Sequence, residues 1–214
     1  MGRILVLIFI FSSFLRPLFP FDVVLIKYPK SDYYNARKGV SLFLKELKER
    51  TTINVNEKIF ELSLEDIEIF EHYFLILNGH VPVELSEVEK KNLKIFLENG
   101  GFLFANDDYG MDKSFRKLMK EIFPDKPLVR IPFSHRIYHC FYHFQSGIPK
   151  IHEHDGGPPE GLGIFFGDRL AVFYAFNTDI MDGWDPVEVH NDPPEKREEA
   201  IRMGINIVVY SLEN

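Results

Sequence analysis

The segment YFLILNGH, Tyr73–His80, decides how the rest of the chain is read. Its apolar residues follow one another without polar alternation, as in a strand covered on both faces. The run ends at Asn78-Gly79-His80, a glycine turn. Just downstream, Ser86 with Glu89 three residues later makes a capping box. It opens a helix through Leu97 that Asn99-Gly100-Gly101 stops. GFLFANDDYG, Gly101–Gly110, then repeats the pattern of buried strand and polar end. Asp112 is expected to cap the next helix, with Phe115, Leu118, Met119, Ile122 and Phe123 at helical spacing and Pro124 closing it.

Upstream the same alternation holds. VVLIKY, Val23–Tyr28, reads as a buried strand, and Val40, Phe43, Leu44 and Leu47 make Asn35–Arg50 an amphipathic helix. NVNEKIFEL follows as a second strand, with a short helical piece around Leu64–Phe70. Buried strands alternating with helices require a parallel sheet with helices on both faces. The last third departs from this. GLGIFF and RLAVFY are joined by Gly167-Asp168, a hairpin signal, and Asp192-Pro193-Pro194 starts a terminal helix. The expected fold is α/β, a three-layer α/β/α sandwich. Its sheet is mostly parallel and Rossmann- or flavodoxin-like, with a C-terminal β-hairpin and a final helix.

Composition narrows the function. The net charge is −7, and no basic run exceeds two residues, so a phosphate backbone is repelled and a general nucleic-acid binder is excluded. Cys140 is the only cysteine, which rules out an intramolecular disulfide and metal sites built on several thiolates. Residues 1–21 read differently from the domain at 22–214. Arg3 precedes an apolar stretch from Ile4 to Leu15, too short to span a bilayer but suited to an export signal or N-terminal anchor. The expected location is therefore outside the cytoplasm.

In an open parallel sheet, ligands bind beyond the carboxyl ends of the strands. Gly79, His80, Asp107, Asp108 and Tyr109 stand at two such ends and form the expected ligand-binding set. The competing reading gives the acids to turn-shaping. In IPKIHEHDGG, His152 and His154 project from one face of an extended chain. DIMDGWDPVEVHND adds Asp179, Asp182, Asp185, His190 and Asp192 in one polar loop. His152, His154 and His190 are candidate ligands of a divalent metal, and Asp108 or Glu153 the candidate catalytic base. The alternative is a polar network that pairs the groups of long loops. His135, His139 and His143, four apart, would share a face if helical, although their aromatic neighbours favour burial. No GxGxxG, Walker or GxSxG motif is present.

LILNGH, GGFLFANDDYG, SFRKLMKEIFPD, HRIYHCFY, GIPKIHEHDG and DGWDPVEVHNDPPEKREEAIRMGINIVVYSL together resemble the bacterial family of domains of unknown function numbered 4159 (DUF4159). The resemblance runs from Asp22 to Leu212. It implies a class I glutamine-amidotransferase-like fold near the trehalose-utilisation (ThuA-like) proteins. It also implies export or membrane tethering, and MoxR-type ATPases or von Willebrand A-domain proteins as partners. It implies no reaction. The thiol nucleophile of amidotransferases is missing from Asn106-Asp107-Asp108, so the resemblance points to a ligand- or protein-binding module. A metal- or carboxylate-dependent hydrolase is the alternative. Where the family tends to have Gly-Asp-Trp-Tyr, this chain has Ser31-Asp32-Tyr33-Tyr34.

Overall fold

Strand β3, Phe74–Gly79, lies near the middle of a seven-stranded sheet and is buried along its whole length. The computed structural model describes residues 20–152 and 156–213. Around β3 the strands are β1 (Phe21–Lys27), β2 (Val55–Ser63), β4 (Phe102–Asp107), β5 (Val129–Arg130), β6 (Glu160–Phe166) and β7 (Arg169–Phe176). Their order is β2-β1-β3-β4-β7-β6-β5. The pairs β1–β2, β1–β3, β3–β4 and β4–β7 are parallel, whereas β6 runs antiparallel to both β7 and β5. The expected hairpin is present, but its second strand joins the parallel set beside β4 and adds a fifth carboxyl end to the same rim.

Alternate strand residues face opposite layers. Phe74, Ile76, Phe102, Phe104, Phe173 and Ala175 pack with Val40, Phe43, Leu44 and Leu47 of α1 (Arg37–Arg50) and Met203, Ile207 and Val208 of α5 (Pro194–Leu212). Leu75, Leu77, Leu103, Ala105 and Tyr174 pack with Leu93 and Leu97 of α2 (Glu87–Glu98) and Phe115, Leu118 and Met119 of α3 (Asp112–Ile122). This is the three-layer sandwich the sequence requires.

The helix starts follow their local chemistry. Ser86 accepts from Glu89 N–H at 3.2 Å while the Glu89 carboxylate accepts from Ser86 N–H at 2.8 Å, the capping box read in the sequence. Ser86→Ala should cost ~1 kcal/mol, measured as a shift in the urea midpoint with an unchanged slope. Asp112 is no cap. Met111 takes that position, and Asp112 instead binds Arg116 at 2.7 Å and the Tyr174 hydroxyl at 3.0 Å. Pro194 opens α5 as its first residue.

Residues 135–143 form no helix. A short 3-10 turn at Arg136–Tyr138 is followed by loop, held by Asn206 of α5. The buried Asn206 amide donates to the carbonyls of Ile137 at 3.0 Å and Tyr142 at 2.8 Å and accepts from Tyr142 N–H at 2.7 Å. His139 and His143 still meet, Nδ1 to Nδ1, at 2.9 Å, with His139 Nε2 on the Phe133 carbonyl. His135 accepts from Ile137 N–H and is thereby a local turn-former. Among the described residues no helix is long and apolar enough to cross a membrane. The export segment read at 1–21 lies outside the described residues apart from Pro20 and Phe21, and Phe21 begins β1.

Candidate functional site

The strand register builds the site. Asn78 of β3 sits directly beside Asn106 of β4, and Gly79 beside Asp107. The two amides share the face covered by α1 and α5, and Asn106 Nδ2 donates to Asn78 Oδ1 at 2.8 Å and to Asp179 Oδ1 at 3.2 Å. Two-residue periodicity then separates the neighbouring acids. Asp107 turns toward α3, where its carboxylate accepts from Gly110 N–H and Met111 N–H, each at 3.1 Å, and from the Tyr174 hydroxyl at 3.0 Å. Asp108 enters the basin on the other side. A cavity of about 290 Å³ there is lined by Asn78, His80, Asp108, Asp182, Asp185 and His190, among others. Tyr109 and Asp107 line a separate cavity of about 480 Å³ with Pro82, Lys113 and Phe176. The ligand set expected from the sequence is thus divided between two cavities.

His80 bridges two carboxylates. Its Nδ1 lies 2.7 Å from Asp32 Oδ2 and its Nε2 3.1 Å from Asp108 Oδ2, while its backbone N–H donates to Asp32 Oδ1 at 3.2 Å. Gly79 makes room for this. It has φ +154°, and a Cβ there would stand 2.9 Å from Asp32 Oδ1 and collide with the Tyr28 hydroxyl. Asp32, in the loop after β1, is a site residue that strand-end reasoning passed over. His80 donates to it, and the bonded imidazole and N–H hold its carboxyl below the usual range despite partial burial.

The loop after β7 supplies the remaining acids. Asn177 and Asp179 both adopt left-handed backbone, φ 53° and 58°, which Asn and Asp tolerate better than most residues. Trp184 anchors the following turn by stacking on Phe43 at 4.1 Å and donating to the Ala200 carbonyl at 3.0 Å. Asp182 and Asp185 are thereby aimed at the basin from opposite ends of one 3-10 turn. Gly39 of α1 lets Asp185 approach, because a Cβ there would lie 2.5 Å from Asp185 Oδ1. His190, from the short helix α4 (Val187–His190), inserts between them, Nδ1 3.4 Å from Asp182 and Nε2 3.1 Å from Asp185.

His152 joins this group. Its N–H and that of Ile151 donate to the Thr178 carbonyl, which pins the segment at the end of β7. The His152 ring lies 5.9 Å from that of His190, centroid to centroid, and its Nδ1 is 3.4 Å from Asp192 Oδ1. The two distant segments do meet on the strand-end rim. Glu153 and His154, read as base and ligand, lie outside the described residues.

Electrostatically the basin is strained. Burial pushes the carboxyl of Asp179 well above the usual range, reinforced by the charge of Asp108. Burial and the charges of Asp179 and Asp108 push Asp182 up to about 9, and burial also raises Asp185. One donor atom from each of Asp108, Asp179 and Asp182 lies within 4.8 Å of the others, and the same holds for Asp182, Asp185 and His190. Among the described residues, the buried oxygens Asn106 Oδ1 and Asp192 Oδ2 are without a hydrogen-bond partner. Cys140 stands elsewhere. It packs against α5 with Sγ 3.2 Å from the Asn206 carbonyl, and burial pushes its thiol up to about 11.

No curated protein matches this chain. A family model described as a domain of unknown function (DUF4159) matches residues 22–212. With nearly the whole domain covered, the chain belongs to the DUF4159 family.

Proposed function

We propose that this domain is a divalent-cation-dependent hydrolase whose cation is held by Asp108, Asp179 and Asp182 at the carboxyl rim of the sheet. The observation that carries the reading is the approach of three buried carboxylates to within 4.8 Å of one another. Three like charges in a dry site repel strongly unless a proton or a cation intervenes. The ligand chemistry, oxygens with imidazole nearby, fits magnesium, manganese or zinc.

The residues around the basin fit hydrolysis. Asp32 at His80 Nδ1 selects the tautomer whose Nε2 faces Asp108 and the basin, and Nε2 becomes the base once Asp108 binds the cation instead. A water there gives its proton to Nε2 as its oxygen bonds the electrophilic carbon or phosphorus of an ester. The leaving group departs with that proton. The thiol route of amidotransferases has no support, because the single cysteine is packed against α5. The amidotransferase-like ancestry, the export or tethering of the domain, and association with MoxR-type ATPases or von Willebrand A-domain proteins belong to the same proposal. They rest on the family resemblance and on the apolar stretch Ile4–Leu15.

Thermal unfolding with added Mn2+, Mg2+ or Zn2+ tests the reading. A hundredfold excess over Kd should raise Tm by roughly 5–10 °C. Asp179→Asn should remove most of the shift. Hydrolysis is then assayed on p-nitrophenyl acetate, p-nitrophenyl phosphate and its diester with the loaded protein. No shift with any of the three ions sinks the cation site. Binding without turnover leaves the non-catalytic binding module that the resemblance implies.

A further inference from the structure

Asp182 belongs to two ligand sets at once. It completes Asp108–Asp179–Asp182 on the strand side and Asp182–Asp185–His190 on the helix side. The two oxygens of one carboxylate can serve separate ions ~3.5–4 Å apart, the spacing of two-metal sites. We infer that the basin holds two divalent cations bridged by Asp182, an inference that rests on the cation reading above.

Charge balance argues for the second ion. Asp108, Asp179, Asp182 and Asp185 bring four carboxylates, and their side chains are at most 16% exposed. With all four ionised, one divalent cation leaves two negative charges in a site that water barely reaches, whereas two cations balance all four. The helix-side set is also of mixed chemistry, since His190 supplies a nitrogen to a cluster otherwise made of oxygens.

The surroundings of each set are built as supports for metal ligands are. On the strand side, the Asn106 amide holds Asp179 at 3.2 Å, and its Oδ1 is buried without a donor among the described residues. On the helix side, Asp192 is 6% exposed, and its Oδ2 likewise has no donor there. Asp192 Oδ1 faces His152, whose ring in turn faces His190. The carboxylate–imidazole pair of Asp192 and His152 thus packs behind the His190 ring.

The test is a titration of the full chain with MnCl2 by calorimetry, alongside low-temperature electron paramagnetic resonance. Wild type should bind two Mn2+ per chain and show the spectrum of an exchange-coupled pair. His190→Ala, with His190→Gln in reserve should the first variant unfold, should retain one ion with the spectrum of an isolated Mn2+. Asp179→Asn should likewise lose one. Asp182→Asn should lose the coupled spectrum and bind at least a hundredfold more weakly. One Mn2+ per wild-type chain, unaffected by His190→Ala, overturns the two-ion site and leaves the single-cation reading standing. Two magnetically isolated ions also overturn it. No binding removes both readings together.

Discussion

Asp182→Asn is expected to make the cation-free protein more stable at pH 8, not less. The folded protein pushes Asp182 up to about 9 from an ordinary 3.8, through burial first and then the charges of Asp179 and Asp108. A carboxyl with a raised folded pKa holds its proton more tightly folded than unfolded. Stability is therefore lost as pH climbs from about 3.8 toward about 9. Each pH unit inside that window is worth ~1.4 kcal/mol for a full proton. An amide is spared the whole penalty, so the gain at pH 8 should approach ~6 kcal/mol and should shrink toward zero near pH 4. The lost contact to His190 works the other way but is small, since Asp185 still holds that imidazole at 3.1 Å. Saturating Mn2+ should narrow the gap. The wild type gains ~2.7 kcal/mol at a hundredfold excess over Kd, and the variant gains almost nothing. Urea unfolding at pH 5 and 8, with and without Mn2+, measures all four states. Asp182→Asn that is destabilising at pH 8 without cation, or a variant that Mn2+ stabilises like wild type, would show that the carboxyl is there for structure alone.

That behaviour arises from residues the sequence displays only in part. Apolar runs such as Leu75–Leu77 and Leu103–Ala105 announce strands because burial on both faces leaves no room for polar alternation. The place of β7 in the sheet is not announced. RLAVFY would read the same at an edge, and only its packing against β4 brings Asp179 beside Asn106. The acids at 107 and 108 are visible as a pair, yet their separation into two cavities follows from strand periodicity carried one residue past β4. Asp179, Asp182 and Asp185 stand out as a carboxylate-rich loop after a buried strand. What cannot be read is that Trp184 locks this loop between α1 and α5. Long-range contacts of that kind leave no local spacing in the chain. The four-residue spacing of His135, His139 and His143 misleads for the converse reason. Asn206 takes the backbone groups of Ile137 and Tyr142 that a helix would have used, so local periodicity yields to a tertiary hydrogen-bond network.

Gly110→Ala should have the largest effect of any single methyl group added at the rim. Gly110 follows Tyr109, which already adopts left-handed backbone at φ 58°, and has φ +156° itself. A Cβ at 110 would fall well inside contact distance of the His80 carbonyl oxygen. That obstacle is backbone, not the end of a flexible side chain, so relief requires the loops after β3 and β4 to part. The movement has two consequences. Gly110 N–H leaves Asp107, which otherwise accepts it at 3.1 Å, and His80 shifts relative to Asp108, now 3.1 Å away. Steric strain and the broken turn should together cost ~3 kcal/mol or more in unfolding free energy. The proposed cation site should suffer separately, because Asp108, one of its three carboxylates, is carried by the same loop. Mn2+ affinity should fall at least tenfold even at temperatures where the variant remains fully folded by circular dichroism. An enlarging change at Gly167, in the β6–β7 turn where a Cβ meets nothing within 4 Å, is the matched control. Gly167→Ala should lose stability through its own φ of 62° but leave Mn2+ binding intact. Equal losses of affinity in the two variants would mean that binding tracks overall stability. The close approach of the β3 and β4 loops would then have no particular hold on the site.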